Sequence, residues 1–203
     1  MPSSTRVLLE GAGTLSRHRR KDIIYAQGAP AKTIFYINEG MVTLTVSTKT
    51  RQLAVAVLGA GSFFNEICLL DHSRCTSTAS TITSSSILSI ERDEMSRLLG
   101  ARNGVSTFLT SRLVSSNWRF CDDLVSALTH SIEQRLARLL LHLARLNAED
   151  QRKLPKITQQ VLSDMIGATR ARTNIFMNRF RKLGFINDEN GLRIDSTLRS
   201  LLT

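Results

Sequence analysis

The chain has 203 residues, 42% of them hydrophobic, and a formal net charge of +10. That length holds one large domain or two small ones, and the apolar share builds a core and excludes wholesale disorder. A positive balance of this size points to a polyanionic partner, and its placement narrows the choice. Residues 1–100 are nearly balanced, with eleven Lys/Arg against eight Asp/Glu. Residues 151–186 instead carry Arg152, Lys153, Lys156, Arg170, Arg172, Arg179, Arg181 and Lys182 against Asp164 alone. Cys68, Cys75 and Cys121 stand far apart with no CxxC pair, and His18, His72, His130 and His142 fall at no ligand spacing. Neither a disulfide framework nor a metal site is therefore expected. No apolar run approaches the ~18 residues of a membrane span. The opening MPSSTRVLLEGAG lacks a secretory h-region, so a protein of the reducing cytoplasm with no membrane partner is expected.

Up to about residue 90 the pattern is one of short strands broken by glycine: Asp22–Tyr25, Thr33–Ile37, Val42–Ser47, Leu53–Leu58 and Ile87–Ile90, punctuated by Gly28, Gly40, Gly59 and Gly61. Val42-Thr43-Leu44-Thr45-Val46 alternates as a half-buried strand does. The Ser/Thr-rich stretch Cys75–Ser86 reads as a solvent-facing strand, because threonine suits β structure. Short strands of this kind predict a β-barrel or β-roll. A short helix over Asp93–Leu99 follows, ending at Gly100. A long helix is then predicted from about Val105 to Leu128, with Val105, Leu109, Leu113, Phe120, Leu124 and Leu128 near one stripe. Phe108, Val114, Trp118, Cys121 and Val125 flank that stripe, which is broader cover than packing on one small domain requires. An identical helix in a dimer is the expected partner, with burial against the chain's own barrel as the other choice. Ser131 caps a further helix, Ile132–Leu146, with Leu136, Leu139, Leu140 and Leu143 turned inward.

The function sits beyond the polar loop Asn147–Pro155. Thr158 is an N-cap for a helix over Gln159–Ile166, Gly167 supplies a sharp turn, and Thr169 caps a second helix, Arg170–Leu183, stopped by Gly184. Helix, glycine turn and helix is the helix-turn-helix layout. At about 100° per residue, Thr173, Phe176, Phe180 and Leu183 share one face of the second helix and are expected to pack inward. Arg170, Ala171, Asn174, Asn178 and Arg181 lie opposite, and Arg172 lies near the boundary. Arginine pairs with guanine O6 and N7 in the major groove, and asparagine with adenine N6 and N7. The candidate DNA-binding residues are thus Arg170, Arg172, Asn174, Asn178 and Arg181, with Thr169 at the helix start. Thr158 and Gln159 are placed to meet a phosphate. Phe185-Ile186, the Asn-Gly signal at Asn190-Gly191, and Leu192-Arg193-Ile194 read as a hairpin, or wing. No Ser/His/Asp set, carboxylate pair or phosphate-cradling glycine loop stands out, so an enzyme is not expected.

With these pieces in order, the chain resembles the cyclic-AMP receptor protein/FNR (CRP/FNR) family of transcription regulators. The carrying segments are IIYAQGAPAKTIFYINEGMVTLTV, VLGAGSFFNEICLL and, most specifically, ITQQVLSDMIGATRARTNIFMNRFRKLGFI. The resemblance implies an α+β fold: a cyclic-nucleotide-binding-like β-roll over 1–100, a dimerisation helix over 101–129 and a winged helix over 130–203. It implies a homodimer on double-stranded DNA, with RNA polymerase as a further partner. In cyclic-AMP-binding members a Gly-Glu pair precedes the pocket loop and an arginine follows it to hold the cyclic phosphate. Here the pair reads Asn65-Glu66, and Cys75 falls at the arginine position between Arg74 and Thr76. These five are the candidate effector-pocket residues. Cysteine cannot hold a phosphate, so cyclic AMP is not expected to bind. The clustered cysteines that hold an iron–sulfur cluster in FNR-type members are absent, so no cofactor is expected. Arg170 matches the family's leading arginine, while Ala171 and Ile175 replace a glutamate and an arginine, which implies a different DNA sequence. The competing expectation is a ligand-binding module with a vestigial DNA-binding domain.

Overall fold

A computed structural model describes residues 3–101, 103–147, 153–154, 157–187 and 192–202. Helix α1 (Ser3–Ala12) leads into eight strands: β1 (Thr14–His18), β2 (Ile23–Tyr25), β3 (Thr33–Glu39), β4 (Met41–Ser47), β5 (Gln52–Gly59), β6 (Phe63–Phe64), β7 (Thr78–Thr81) and β8 (Ser85–Glu91). They form two four-stranded antiparallel sheets of order β1-β8-β3-β6 and β2-β7-β4-β5. Strand alternation sorts the side chains. Ile37 of β3 joins Phe64, Ile87, Val42 and Ala79 in a core fed by both sheets. Ile34 and Tyr36 point the other way, to a second core with Leu9 of α1, Met95 and Leu98 of α2 (Arg92–Gly100), and Phe108. The Ser/Thr-rich stretch is no solvent-facing strand. β7 lies between β2 and β4, and its Thr81 is 3% exposed, because the hydroxyl donates to the Arg19 carbonyl and accepts from the Asp22 amide. Thr43 of β4 is likewise buried rather than half-exposed, its hydroxyl donating to the Ala56 carbonyl. The tight β3–β4 turn requires Gly40, at φ 90°, where a Cβ would come within 2.6 Å of the Ser84 carbonyl.

Helix α3 runs over Val105–Thr129. Its first turns bury Val105, Phe108 and Leu109 against the roll. From Leu113 onward its apolar side chains are open to solvent, Trp118 at 72% and Leu128 at 77%, so the barrel covers only the start of the predicted stripe. A capping box between Ser131 and Gln134 opens α4 (Ile132–Leu146). Its Leu136, Leu140 and Leu143 are fully buried. They form one core with α5 (Gln159–Met165), α6 (Arg170–Lys182) and the paired strands β9 (Ile186–Asn187) and β10 (Arg193–Ile194). Met41, Val57 and Ile82 of the roll belong to that same core. The wing's predicted Asn190-Gly191 turn, and Arg152 and Lys156, lie outside the described residues. Among the described residues, no helix is long and apolar enough to cross a membrane.

The α5–α6 crossing contains a polar joint. Ser163 and Thr173 are both fully buried; their hydroxyl oxygens lie 2.9 Å apart, and each also reaches a carbonyl of its own helix region, Gln159 (2.7 Å) for Ser163 and Thr169 (3.1 Å) for Thr173. A hydrogen bond of this kind contributes about 0.5–1.5 kcal/mol net, and each hydroxyl keeps its carbonyl partner when the other is removed. Thr173→Val and Ser163→Ala should each lower the urea-unfolding free energy by about 0.5–1.5 kcal/mol, and the double variant by less than the sum, because the two share one bond.

Candidate nucleic-acid interface

Thr158 caps α5 by accepting the Val161 amide, and Thr169 caps α6 by accepting the Arg172 amide. Gly167 makes the turn between them at φ 63°, a conformation costly for other residues. The face of α6 turned to the core consists of Thr173, Met177 and Phe180. This corrects the predicted inner face: Phe176 is only half-buried and Leu183 is 52% exposed. Met177 takes their place, because α4 and α5 approach α6 from a direction that helical periodicity alone does not contain. Rotating the buried stripe rotates the exposed one. Arg170, Arg172, Asn174 and Asn178 stand exposed, with Ile175 at 64% among them. Arg181, predicted on the outer side, is half-buried and donates to Asn178 Oδ1 (2.8 Å).

Local hydrogen bonds orient this surface. Gln159 donates to Asn174 Oδ1 (3.3 Å), tying the start of α5 to the middle of α6. Arg179 pairs with Glu133 of α4 (3.2 Å), so that cation braces α6 from behind. Asp164, the one acid of the basic segment, is occupied on both oxygens: Gln160 donates to Oδ1 (2.7 Å) and the Ala54 amide of β5 to Oδ2 (3.2 Å). The outer face of α6 therefore carries guanidinium and amide groups with no neighbouring carboxylate pair among the described residues. Ile175 was not among the residues picked from the sequence as contacts. Its position one residue after Asn174 and three before Asn178 was the available signal, and an exposed aliphatic side chain there is suited to a thymine methyl.

The predicted effector residues are not brought together as a phosphate cradle. Asn65 takes a left-handed backbone (φ 62°) and donates its amide to the Thr33 carbonyl (2.8 Å). Cys75 is 3% exposed; burial raises its thiol pKa, and the Asn65 side chain hydrogen-bonds it. Glu66 is mostly out of solvent, and burial raises its carboxyl pKa. Arg74 is exposed and donates to the Gly28 carbonyl (2.8 Å), at the edge of an open cleft of about 560 Å³ shared with Lys32, Ser73 and Arg92. Thr76 is exposed. Inside the roll, Tyr25, Phe35 and Phe64 stack with ring centroids 5.1–6.0 Å apart. Among the described residues no His/Cys/Asp/Glu group is arranged to hold a metal.

Residues 15–102 match the model of the cyclic nucleotide-binding domain, and residues 134–198 that of the Crp-like helix-turn-helix domain. A "CRP-like cAMP-activated global transcriptional regulator" of Mycobacterium tuberculosis is 25% identical over 175 residues, which cover 84% of this chain and 78% of that protein. The "cAMP-activated global transcriptional regulator CRP" of Haemophilus influenzae is 27% identical over 164 residues, covering 77% of this chain and 72% of that protein. Among solved structures, FixK2 from Bradyrhizobium japonicum superposes with a TM-score of 0.77 at 18% identity, covering 94% of this chain and 96% of that one. The c-di-GMP responsive regulator CLP from Xanthomonas campestris gives 0.75 at 17% identity, covering 95% and 98%. At such identities the superpositions speak for the α+β fold alone: a sheet-rich nucleotide-binding-like domain, a long helix and a helix-turn-helix domain. The two matched models follow one another in the order of the roll and the helix-turn-helix unit, and the chain belongs to the CRP/FNR family of DNA-binding transcription regulators.

Proposed function

We propose that this regulator binds DNA sequence-specifically as a homodimer, with α6 in the major groove. The carrying observation is the outer face of α6, where Arg170, Asn174, Ile175 and Asn178 are exposed together while Thr173, Met177 and Phe180 anchor the helix from behind. A recognition helix puts its N-terminal residues at base edges. Arg170 is therefore assigned to base reading, and Arg181, near the other end and bonded to Asn178, to the backbone or to support. Thr158, Gln159, Thr169 and Arg172 are assigned to phosphate contacts at the helix starts. The division at 1–100, 101–129 and 130–203 is retained as the working set of sensor, dimerisation and DNA-binding units. DNA as the ligand places the protein in the cytoplasm, with RNA polymerase as a further partner. On a duplex selected by the purified protein, Arg170→Ala should cost about 1–3 kcal/mol and relax one base position. Arg181→Ala should weaken all sequences evenly. If titrations at several salt concentrations reverse the two patterns, the docking is wrong.

The homodimer is supported by α3. Val114, Trp118, Cys121, Val125 and Leu128 recur at alternating spacings of four and three, a coiled-coil seam, and all are exposed in the single chain. A soluble monomer rarely leaves so long an apolar stripe open. Two-fold pairing along it would set two α6 helices to read half-sites about 34 Å apart. Light scattering at micromolar concentration should give twice the chain mass. Trp118→Glu combined with Val125→Glu should halve it while the far-UV spectrum stays helical; a monomeric parent protein would refute the pairing.

The roll, in the same proposal, takes no cyclic nucleotide. Arg74 is engaged outside it, Cys75 is buried where a guanidinium would be needed, and the Tyr25–Phe35–Phe64 stack occupies its interior. Calorimetry with cyclic AMP should give no binding heat. Micromolar affinity that is abolished by Arg74→Ala would overturn this part.

A further inference from the structure

Outside the roll, and apart from its aromatic interior, lies the open cleft of about 560 Å³ that Arg74 edges. Three chain segments build it: residues 30–32 ahead of β3, the loop 72–74 ahead of β7, and residues 91–93 at the start of α2. Backbone hydrogen bonds hold the three side by side. Pro30 and Arg74 form an antiparallel β-bridge, and the Ala31 amide donates to the Ser73 carbonyl (3.0 Å). On the other flank the Arg92 amide donates to the Lys32 carbonyl (2.8 Å). Paired backbones of this kind stand about 4.8 Å apart, so the cation of Lys32 is set in a row between those of Arg74 and Arg92. None of Asn65, Glu66, Cys75 and Thr76 lines this cleft.

The three cations are not equivalent. Arg92 is taken: it pairs with Asp71 (3.0 Å) and lies 3.7 Å from Asp93. Glu91 accepts the Thr33 hydroxyl (3.1 Å). Lys32 and Arg74 are exposed, and among the described residues neither meets a carboxylate within ion-pair distance. Arg74 donates to the Gly28 carbonyl through Nη1, which leaves other donors of its fork for a ligand. Ser73 supplies an independent observation. It lines the cleft, yet its hydroxyl oxygen is closed to solvent and has no hydrogen-bond partner. A buried hydroxyl without a partner is destabilising, and an alanine would avoid that cost. Folding therefore does not account for serine at this position.

We propose that this cleft is a binding site for a small phosphate monoester with a hydroxyl-bearing remainder, that is, a sugar or polyol phosphate. The dianionic phosphate takes the row formed by Arg74 and Lys32 and gives the Ser73 hydroxyl its missing acceptor. Charge-assisted bonds from a guanidinium to phosphate oxygens are among the strongest available to a side chain. The ligand's own hydroxyls then donate to Glu91 and Asp93 on the facing wall. The mixed signs of the two walls decide against a polyanion, because a duplex would bring further phosphates onto Asp71, Glu91 and Asp93, and like charges set against each other are costly. A short molecule with acceptors at one end and donors at the other suits both walls. The proposal is independent of the reading of α6 and of the roll interior.

The test is calorimetry on the full chain with ribose 5-phosphate and glycerol 3-phosphate, compared with inorganic phosphate, ribose, succinate and cyclic AMP. One sugar phosphate per chain should bind saturably and about tenfold or more tightly than inorganic phosphate, while ribose and cyclic AMP give no heat. Arg74→Gln and Lys32→Gln should each weaken it about tenfold or more, as loss of a hydrogen bond to a charged group does. Both side chains are exposed, so neither change threatens the fold. Ser73→Ala should also weaken binding, yet leave the melting temperature of the free protein unchanged or higher. Arg17→Gln removes an exposed cation outside the cleft and should leave binding as it is. Absence of heat with both sugar phosphates overturns the proposal. So does equal or tighter binding of inorganic phosphate or succinate, and so does equal weakening by Arg17→Gln, which would mean general surface charge. Parent-like affinity in the Arg74 and Lys32 variants would place the ligand elsewhere. A lowered melting temperature in Ser73→Ala with binding intact would assign that hydroxyl to the fold and remove it from the site.

Discussion

Two units that meet end to end in a chain of this size must share apolar surface or move freely, and here they share it through α4. Leu136, Leu140 and Leu143 are fully buried, and the core around them takes Met41, Val57 and Ile82 from the roll as readily as Leu162, Met177 and Phe180 from the helix-turn-helix. Burial of each such side chain contributes about 1.5–3 kcal/mol, and none of it depends on direction. Direction comes from the few polar contacts at the seam. The Ala54 amide on edge strand β5 would lack a partner if that edge were covered without an acceptor, and Asp164 of α5 provides one. The bulge opposite Leu44 and Thr45 lies at the same point of β5.

The orientation of α6 follows from that arrangement. Its inner face is held by Thr173, Met177 and Phe180, its back by the Arg179–Glu133 pair, and its start by the Gln159–Asn174 bond. What remains outward is a polar, cationic strip with one exposed isoleucine. Asp164, which would dilute the field of that strip, faces the roll instead. Positive potential is thereby concentrated on the surface that a polyanion approaches.

The roll keeps the shape of the solved structures it superposes on, and the proposal that it takes no cyclic nucleotide rests on its interior. Two sheets of the expected kind enclose an aromatic stack, and the loop that would carry a phosphate-binding arginine buries a cysteine there. Burial raises the Tyr25 hydroxyl, the Cys68 thiol, to about 11, and the Cys75 thiol, each of which remains uncharged inside the roll at neutral pH. An interior of neutral groups is a poor environment for a cyclic phosphate.

Local chemistry was legible from residues alone wherever neighbours in sequence are neighbours in space. The caps Ser131, Thr158 and Thr169 and the glycine turn at Gly167 act within one helical turn, so their side chains announce the ends of α4, α5 and α6. The strand pattern over residues 33–58 was legible for the same reason. Strands β1 and β6 escaped notice because two to five residues carry too little periodicity, and α1 because its few apolar residues gain a partner only from the far side of a sheet. The Ser/Thr-rich segment was misjudged because the partners of its hydroxyls, Arg19 and Asp22, are some sixty residues away. Which face of α6 is buried was decided by α4 and α5, whose approach moves the inner stripe from Phe176 and Leu183 to Met177. The sequence by itself determined the longer strands and the helices from α2 onward, their order and the sign of the charge on the DNA-binding end. Tertiary structure alone decided which side chains of that end face outward and whether the pocket loop turns its arginine in or out, because both depend on packing directions that no local spacing encodes.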